Sequence, residues 1–381
     1  MRFLYTDILP IGIPESGEDF SASAASEIGT AESVEIAVGY VSRASILELD
    51  TLVRNAHVKH ITLTIGMYYF EGMPESIFYA ACAINEAWQK DGIGEIRIVR
   101  VCKFHGKVYC FYRNGRPSSA IIGSANLGAM KLDAANRRQY EIAVLTDSQE
   151  ECQHASGIIG RLNASACSAN IADIPNMPVV REQNFALNNV DTVTQLPQSD
   201  VDAYKRHLTN ISFALPLKVP AYAERHMDDK KHFTQSNINV CYAAPRSVRR
   251  SRDWYETQIT VDKKLTLLPG YPEKNKPFFA VTDDGYRIKV HTTSDGNKQL
   301  SAVGDELILG RWIKGRLAAA GLVAPVNDTK KDKERAGMIT KEMLHRYGCE
   351  RLVLTKTTKK AYDEDELLDV WMLSFEAGTN E

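Results

Sequence analysis

At 381 residues, 44% of them hydrophobic and 25% charged, the chain reads as a soluble globular protein long enough for two cores. A net charge of −2 excludes a chain coated in positive charge. No apolar run approaches the roughly 18 residues of a membrane span, and seven cysteines without a C-x-x-C pair exclude a zinc ribbon or a disulfide framework. With no leader-like apolar stretch after Met1, the expected compartment is the reducing cytoplasm.

The first half alternates strand and helix patterns. Residues 33–40 (SVEIAVGY) predict a buried strand, followed by a helix over 42–53 that Ser42 opens, with Ile46, Leu49 and Val53 on one face. A strand over 61–65, a helix over 75–90 and a strand over 95–101 come next. Short strands at 108–112, 120–122 and 141–145 and a closing helix at 150–162 complete the half. This alternation predicts an α/β domain over residues 1–175, a mixed sheet flanked by helices.

The pattern then breaks. Residues 176–200, with Pro178, Asn188, Asn189 and Pro197, have no sustained period and read as linker. Beyond them, over 201–381, short β-like runs occur at 211–215, 238–242, 257–261, 278–281, 286–292, 306–309 and 370–375. Several are separated by Gly/Asp/Asn turns, which predicts a mainly β barrel or sandwich.

Residues 103–141 carry the chemistry. His105 and Lys107 stand two apart, a spacing that on a strand puts both on one face. Gly123, Ser124, Ala125 and Asn126 follow the next strand, and Glu141 begins another. A neutral imidazole can attack phosphorus at neutral pH, while Lys107 and Asn126 supply donors for the non-bridging oxygens. Glu141 suits the carboxylate that orients an imidazole, and Gly123 with Ser124 permits close approach to a phosphate. No run of carboxylates suits magnesium, so no metal or other cofactor is expected.

The sequence H-x-K, then G-S-x-N, then a downstream Glu resembles the nuclease branch of the phospholipase D superfamily. The resemblance implies His105 as nucleophile, Lys107 and Asn126 as phosphate ligands with Ser124 beside them, and Glu141 as orienting acid. It departs at Tyr112, where the longer signature has an Asp five residues after the Lys; this weakens the lipid-processing branches. A second H-x-K, His57 to Lys59, lacks any following G-S-x-N and reads as surface. Superfamily chemistry uses two histidines, so a chain with one motif implies a homodimer with a composite site on its two-fold axis.

In the second half, Arg246, Arg249, Arg250 and Arg252 gather beside Trp254, suited to phosphate or guanine contacts with an aromatic for packing or stacking. A second polar segment contains Thr292, Asn297 and Lys298. Arg311, Lys314 and Arg316 stand near a helix start, suited to backbone phosphates, and a helix that turns Trp312 and Leu317 to the core is compatible with that.

With the phrases LILGRWIKGRL, LVLTKT and VWMLSF near its end, the chain resembles NgoFVII-type restriction endonucleases throughout. That implies a C-terminal B3-like pseudobarrel reading double-stranded DNA through two arms, which map onto the Arg246–Trp254 and Thr292–Lys298 stretches. It also implies a cognate DNA methyltransferase and, in related systems, a separate ATPase or helicase subunit; no P-loop occurs here, so any ATP use would lie in a partner. A phospholipid-processing enzyme should carry two full motifs, and an idle DNA-binding protein would not need His105 and Lys107; both are alternatives. A sequence-specific, metal-independent endonuclease is the expectation.

Overall fold

The computed structural model describes residues 1–131, 139–188, 190–227, 237–243 and 251–375. They fall into two compact units that divide between Arg181 and Glu182.

The first unit runs β1 (Arg2–Tyr5), β2 (Glu18–Asp19), α1 (Phe20–Thr30), β3 (Ser33–Val38), α2 (Arg43–Asn55) and β4 (His60–Ile65). It continues through α3 (Tyr68–Glu71), β5 (Met73–Pro74), α4 (Glu75–Asp91), β6 (Gly94–Val99), β7 (Val108–Arg113) and β8 (Arg116–Gly123). β9 (Ile142–Thr146), α5 (Gln149–Asn163), β10 (Ser168–Asn170) and β11 (Val179–Val180) close it. Nine strands form one sheet in the order β10-β6-β4-β3-β7-β8-β9-β1-β2. β3, β4 and β6 are parallel, whereas β7, β8, β9 and β1 continue antiparallel from β3. The expected mixed sheet is therefore present.

Strand alternation supplies both cores. Val34, Ile36, Tyr109, Phe111, Ile121 and Leu145 pack with α1, α2 and α4 on one face. Ala37, Val108, Cys110 and Ala120 pack against Cys152, Ala155 and Ile159 of α5 on the other. Ser42 caps α2 as expected: its hydroxyl accepts from the Ser45 N–H at 3.2 Å and the Ser45 hydroxyl returns the bond. The sequence pattern did not predict β1, β2 or α1, whose run of small residues is opened by Asp19 accepting from the Ala22 N–H.

The second unit contains β12 (Val193–Gln195), α6 (Gln198–Lys205), β13 (Leu208–Pro216), β14 (Ile259–Thr260), α7 (Lys263–Thr266) and β15 (Phe278–Thr282). β16 (Tyr286–Thr293), β17 (Gln299–Ala302), α8 (Ile308–Ala319), α9 (Lys341–Tyr347), β18 (Arg351–Asp363) and β19 (Glu366–Ser374) follow. A sheet ordered β13-β18-β19-β15-β16-β17-β14, with β12 on β16, gives a mainly β unit. Two expected strands are corrected. Residues 238–242 form a single turn, and 306–309 lead into α8, because Ile308, Leu309, Trp312, Ile313 and Leu317 are buried at helical spacing.

Described residues of the expected linker 176–200 pair with strands of either unit. β11 pairs with β5 in the first unit, and β12 pairs with β16 in the second. Buried Asn184 donates to the carbonyls of Arg311 and Trp312 in α8 and accepts from the Ala186 N–H. A fragment beginning at Glu182 should therefore unfold at a higher urea concentration than one beginning at Val201. Asn184→Ala in the longer fragment should cost about 1–3 kcal/mol, since two donors to buried carbonyls are lost. Equal midpoints for the two fragments would show that residues 182–200 contribute nothing.

Candidate active site

The sheet order assembles the motif. The parallel strands β3 and β4 finish at one sheet edge, and antiparallel β7 starts there. β8 returns to that edge to finish at Gly123, and β9 leaves from it at Ile142. Residues 39–40, 66, 105–107, 123–126 and 141 are thereby brought to one edge from distant parts of the chain, the position where open α/β sheets place ligands.

His105 and Lys107 lie in the segment just before β7 rather than on the strand itself. The pairing is nonetheless direct. Lys107 Nζ stands 3.0 Å from Nδ1 and 3.1 Å from Nε2 of His105, and it also donates to the His105 carbonyl. An ammonium only donates, so the ring nitrogen that accepts from it presents a lone pair. His105 is exposed whereas Lys107 is 6% exposed. Burial pushes the Lys107 ammonium below its ordinary range, opposed by the negative charge of Glu141.

Backbone contacts hold this segment. The Phe104 N–H donates to the Gly66 carbonyl at 3.2 Å. A Cβ at Gly66 would stand 2.0 Å from the Phe104 carbonyl oxygen, so only glycine admits that approach.

Ser124 donates from its hydroxyl to the Glu141 carboxylate and accepts from the Ile142 N–H at 3.0 Å. Glu141 is fixed through its backbone by Thr6, whose Oγ1 accepts from the Glu141 N–H at 2.9 Å. Within one chain, then, Glu141 engages Ser124 and does not bond to the imidazole it was expected to orient. Asn126 Oδ1 accepts from the Tyr40 N–H at 3.0 Å, which leaves its amide NH2 as the free end. Tyr112 explains the departure from the longer signature. Its side chain points to the α5 side of the sheet, where its hydroxyl meets Glu35 and Ser156. His57 is exposed at the end of α2, with Nδ1 on the Asn55 carbonyl.

Sequence reasoning missed Tyr40, Glu71 and Lys103. Tyr40 packs edge-on against His105, with ring centroids 5.7 Å apart, and its hydroxyl donates to Glu71 at 2.6 Å. Lys103 donates to the other Glu71 oxygen at 2.9 Å. Both partners hold the Glu71 carboxylate below its ordinary range, the Tyr40 bond first. The one available signal was the Gly39-Tyr40 pair at the end of a predicted strand.

The expected DNA-reading residues fare differently. Arg246, Arg249 and Arg250 lie outside the described residues. Arg252 is paired with Glu256. Trp254 is 3% exposed and donates to the Gly337 carbonyl at 2.7 Å, so it packs rather than stacks on a base. Thr292 is 1% exposed, with its hydroxyl donating to the carbonyls of Pro272 and Glu273, which removes it as a DNA contact. Asn297 donates to the Pro272 carbonyl at 2.8 Å, and the Lys298 carbonyl accepts from Val261; both side chains remain half-exposed.

Two of the three α8 cations are also withdrawn from phosphate. Lys314 is fully buried on the carbonyls of Trp254 and Glu256, and Arg316 is buried on Asp283 and the Tyr347 hydroxyl. Among the described residues no group of three His, Cys, Asp or Glu side chains suits a metal ion, and no helix is long and apolar enough to cross a membrane.

Comparison with known proteins follows this division. Residues 20–176 match the NgoFVII restriction endonuclease N-terminal PLD domain, and residues 203–347 match the NgoFVII C-terminal B3-like DNA-binding domain. No curated protein matches. Among solved structures, a phosphatidylserine synthase from Haemophilus influenzae Rd KW20 is similar at 15% identity with a TM-score of 0.31. The match covers 44% of this chain and 39% of the synthase.

Burying an ammonium opposes folding unless the site gains from it elsewhere. Lys107→Met, of similar length and without charge, should therefore be at least as stable as the parent in urea unfolding. A loss of more than about 1 kcal/mol would mean that the ammonium's own bonds outweigh its desolvation.

Proposed function

Since the chain belongs to the NgoFVII restriction endonuclease family, with a PLD domain and a B3-like DNA-binding domain, we propose that it is a sequence-specific endonuclease cutting double-stranded DNA through a phosphohistidine, without a divalent metal. The observation that carries the reading is the close approach of Lys107 Nζ to the His105 ring, 3.0 Å from Nδ1, with Asn126 joined to the same site through Tyr40. A His105 nitrogen attacks phosphorus, and the P–N bond forms as the P–O bond to the leaving deoxyribose oxygen breaks. Lys107 and the Asn126 amide NH2 donate to the non-bridging oxygens, where charge redistributes. Water then attacks the same phosphorus, returning the imidazole and leaving a phosphate end.

Protonating the leaving oxygen and activating that water require a second imidazole, and the reading takes it from a second copy of the chain. An apolar strip supports this. Phe3 lies opposite Val144, and Val144 opposite Ile122, on one sheet face, with Ile142 on the same face by alternation. Phe3, Ile122 and Ile142 are exposed, and the strip ends at Ser124 and Glu141. Glu141, engaged by Ser124 within one chain, would orient an imidazole only once the two copies meet. A protecting methyltransferase and a separate ATPase or helicase subunit complete the proposed set of partners.

The isolated protein should nick or cut its cognate plasmid in EDTA. His105→Ala should abolish cutting while DNA affinity stays within a few-fold. Loss of one donor in Lys107→Ala or Asn126→Ala should cost roughly 3–4 kcal/mol of transition-state stabilisation. Cleavage abolished by EDTA and restored by magnesium would overturn the mechanism. Sedimentation should give a dimer that Phe3→Glu or Ile142→Glu converts to inactive monomer; an active monomer would remove the composite site.

A further inference from the structure

We propose that Tyr40 is a positioning residue that couples His105 to Asn126, clamped by Glu71 and Lys103; the inference rests on the phosphoryl-transfer reading above. Three independent contacts converge on this one residue. Its backbone N–H donates to Asn126 Oδ1 at 3.0 Å, which sets the amide so that its NH2 end is the one left for a phosphate oxygen. Its ring meets the His105 ring edge to face, at 5.7 Å between centroids and 76° between planes. Its hydroxyl donates to Glu71 at 2.6 Å, and Glu71 takes Lys103 at 2.9 Å. Lys103 lies in the same segment as His105, so the Tyr40–Glu71–Lys103 chain ties that segment to the end of β3.

The residues around Tyr40 are built for this. A Cβ at Gly39 would stand 3.0 Å from His105 Cδ2 and 3.4 Å from His105 Cα, so residues 39–40 lie directly against the imidazole. The Tyr68 hydroxyl donates to the Val41 carbonyl at 2.8 Å and its ring packs edge-on against Tyr40 at 5.5 Å, which fixes the loop from behind. Nucleophile and phosphate ligand thus hang from one two-residue turn. An imidazole displaced by a fraction of an ångström loses its line of attack.

The test uses the full chain and two substitutions. Tyr40→Ala removes the ring and hydroxyl but keeps the N–H to Asn126; Tyr40→Phe keeps the ring and loses only the bond to Glu71. Single-turnover cleavage of cognate DNA in EDTA should slow by roughly 10- to 100-fold in Tyr40→Ala, with affinity for DNA and thermal midpoint near the parent's. Tyr40→Phe, which keeps the ring but loses the clamp, should fall between Tyr40→Ala and the parent. In NMR of the unliganded protein, the His105 ring resonance, assigned by its disappearance in His105→Ala, should move in Tyr40→Ala and stay in Tyr40→Phe. Unchanged rate and resonance in Tyr40→Ala would overturn the proposal, as would a slow Tyr40→Ala whose DNA affinity or midpoint falls in step. If the parent cuts no DNA under any condition, the phosphoryl-transfer reading fails and the positioning role with it. The resonance then still reports whether the ring contact exists, so the two failures are told apart.

Discussion

A cation that must stay desolvated and close to an imidazole sets the terms for the first unit. Lys107 is nearly buried, and Glu141, whose charge acts on the ammonium, accepts from Ser124 and makes no hydrogen bond to Lys107. A neutralising ion pair would relieve the burial but would also spend the charge that an incoming phosphate needs. The surrounding structure supplies rigidity instead. Lys107 is held over the ring and carbonyl of His105, while Phe104 is pinned to Gly66 and Glu141 to Thr6. The last two bonds link different strand ends to the site, which the reversal of direction at β7 brings together.

The second unit uses positive charge the opposite way. Lys314 and Arg316 belong to a helix whose cations suit backbone phosphates in the sequence, yet both are buried on internal acceptors. Lys314 binds the carbonyls of Trp254 and Glu256, and Trp254 in turn donates to Gly337. The residues after the arginine-rich stretch are therefore anchored to α8 through backbone groups. Arg316 stacks its guanidinium near Trp312, Tyr347 and Phe375 while meeting Asp283. Both cations therefore serve the packing of the second unit.

The distinction between the two uses of charge governs what could be read beforehand. Ser42 capping, the apolar stripes of α2 and α4, and the buried strands 33–38 and 61–65 follow from local periodicity, which depends only on neighbours in sequence. His105, Lys107 and Asn126 were legible because their spacing matches a motif. Glu141's engagement with Ser124, Tyr40's position between two site residues and the Glu71–Lys103 clamp depend on strand order, which periodicity does not encode. The β1 strand escaped for the same reason: its four residues gain their partner only when β9 lies beside it. Burial decided the remainder. A Trp beside arginines, a Thr in a polar turn and cations in a helix carry no local sign of whether tertiary packing will cover them, and it covered Trp254, Thr292, Lys314 and Arg316.

Strand direction sets where the motif residues stand in the first unit. Lys107 enters at the start of β7, Asn126 follows the end of β8 and Glu141 precedes β9, so the motif lines a row along one edge of three adjacent antiparallel strands. Such a row has one open side. β3 and β4 close the other with Tyr40 and Gly66. On β1, β8 and β9 stands the exposed apolar strip of Phe3, Ile122 and Ile142. A second row brought in by a two-fold axis would place like against like, imidazole facing imidazole across a phosphate whose attack and departure lines are opposed. In-line displacement has that same pseudo-symmetry, with one oxygen leaving opposite the atom that enters. On the proposed dimer reading, a single motif used twice would supply both imidazoles.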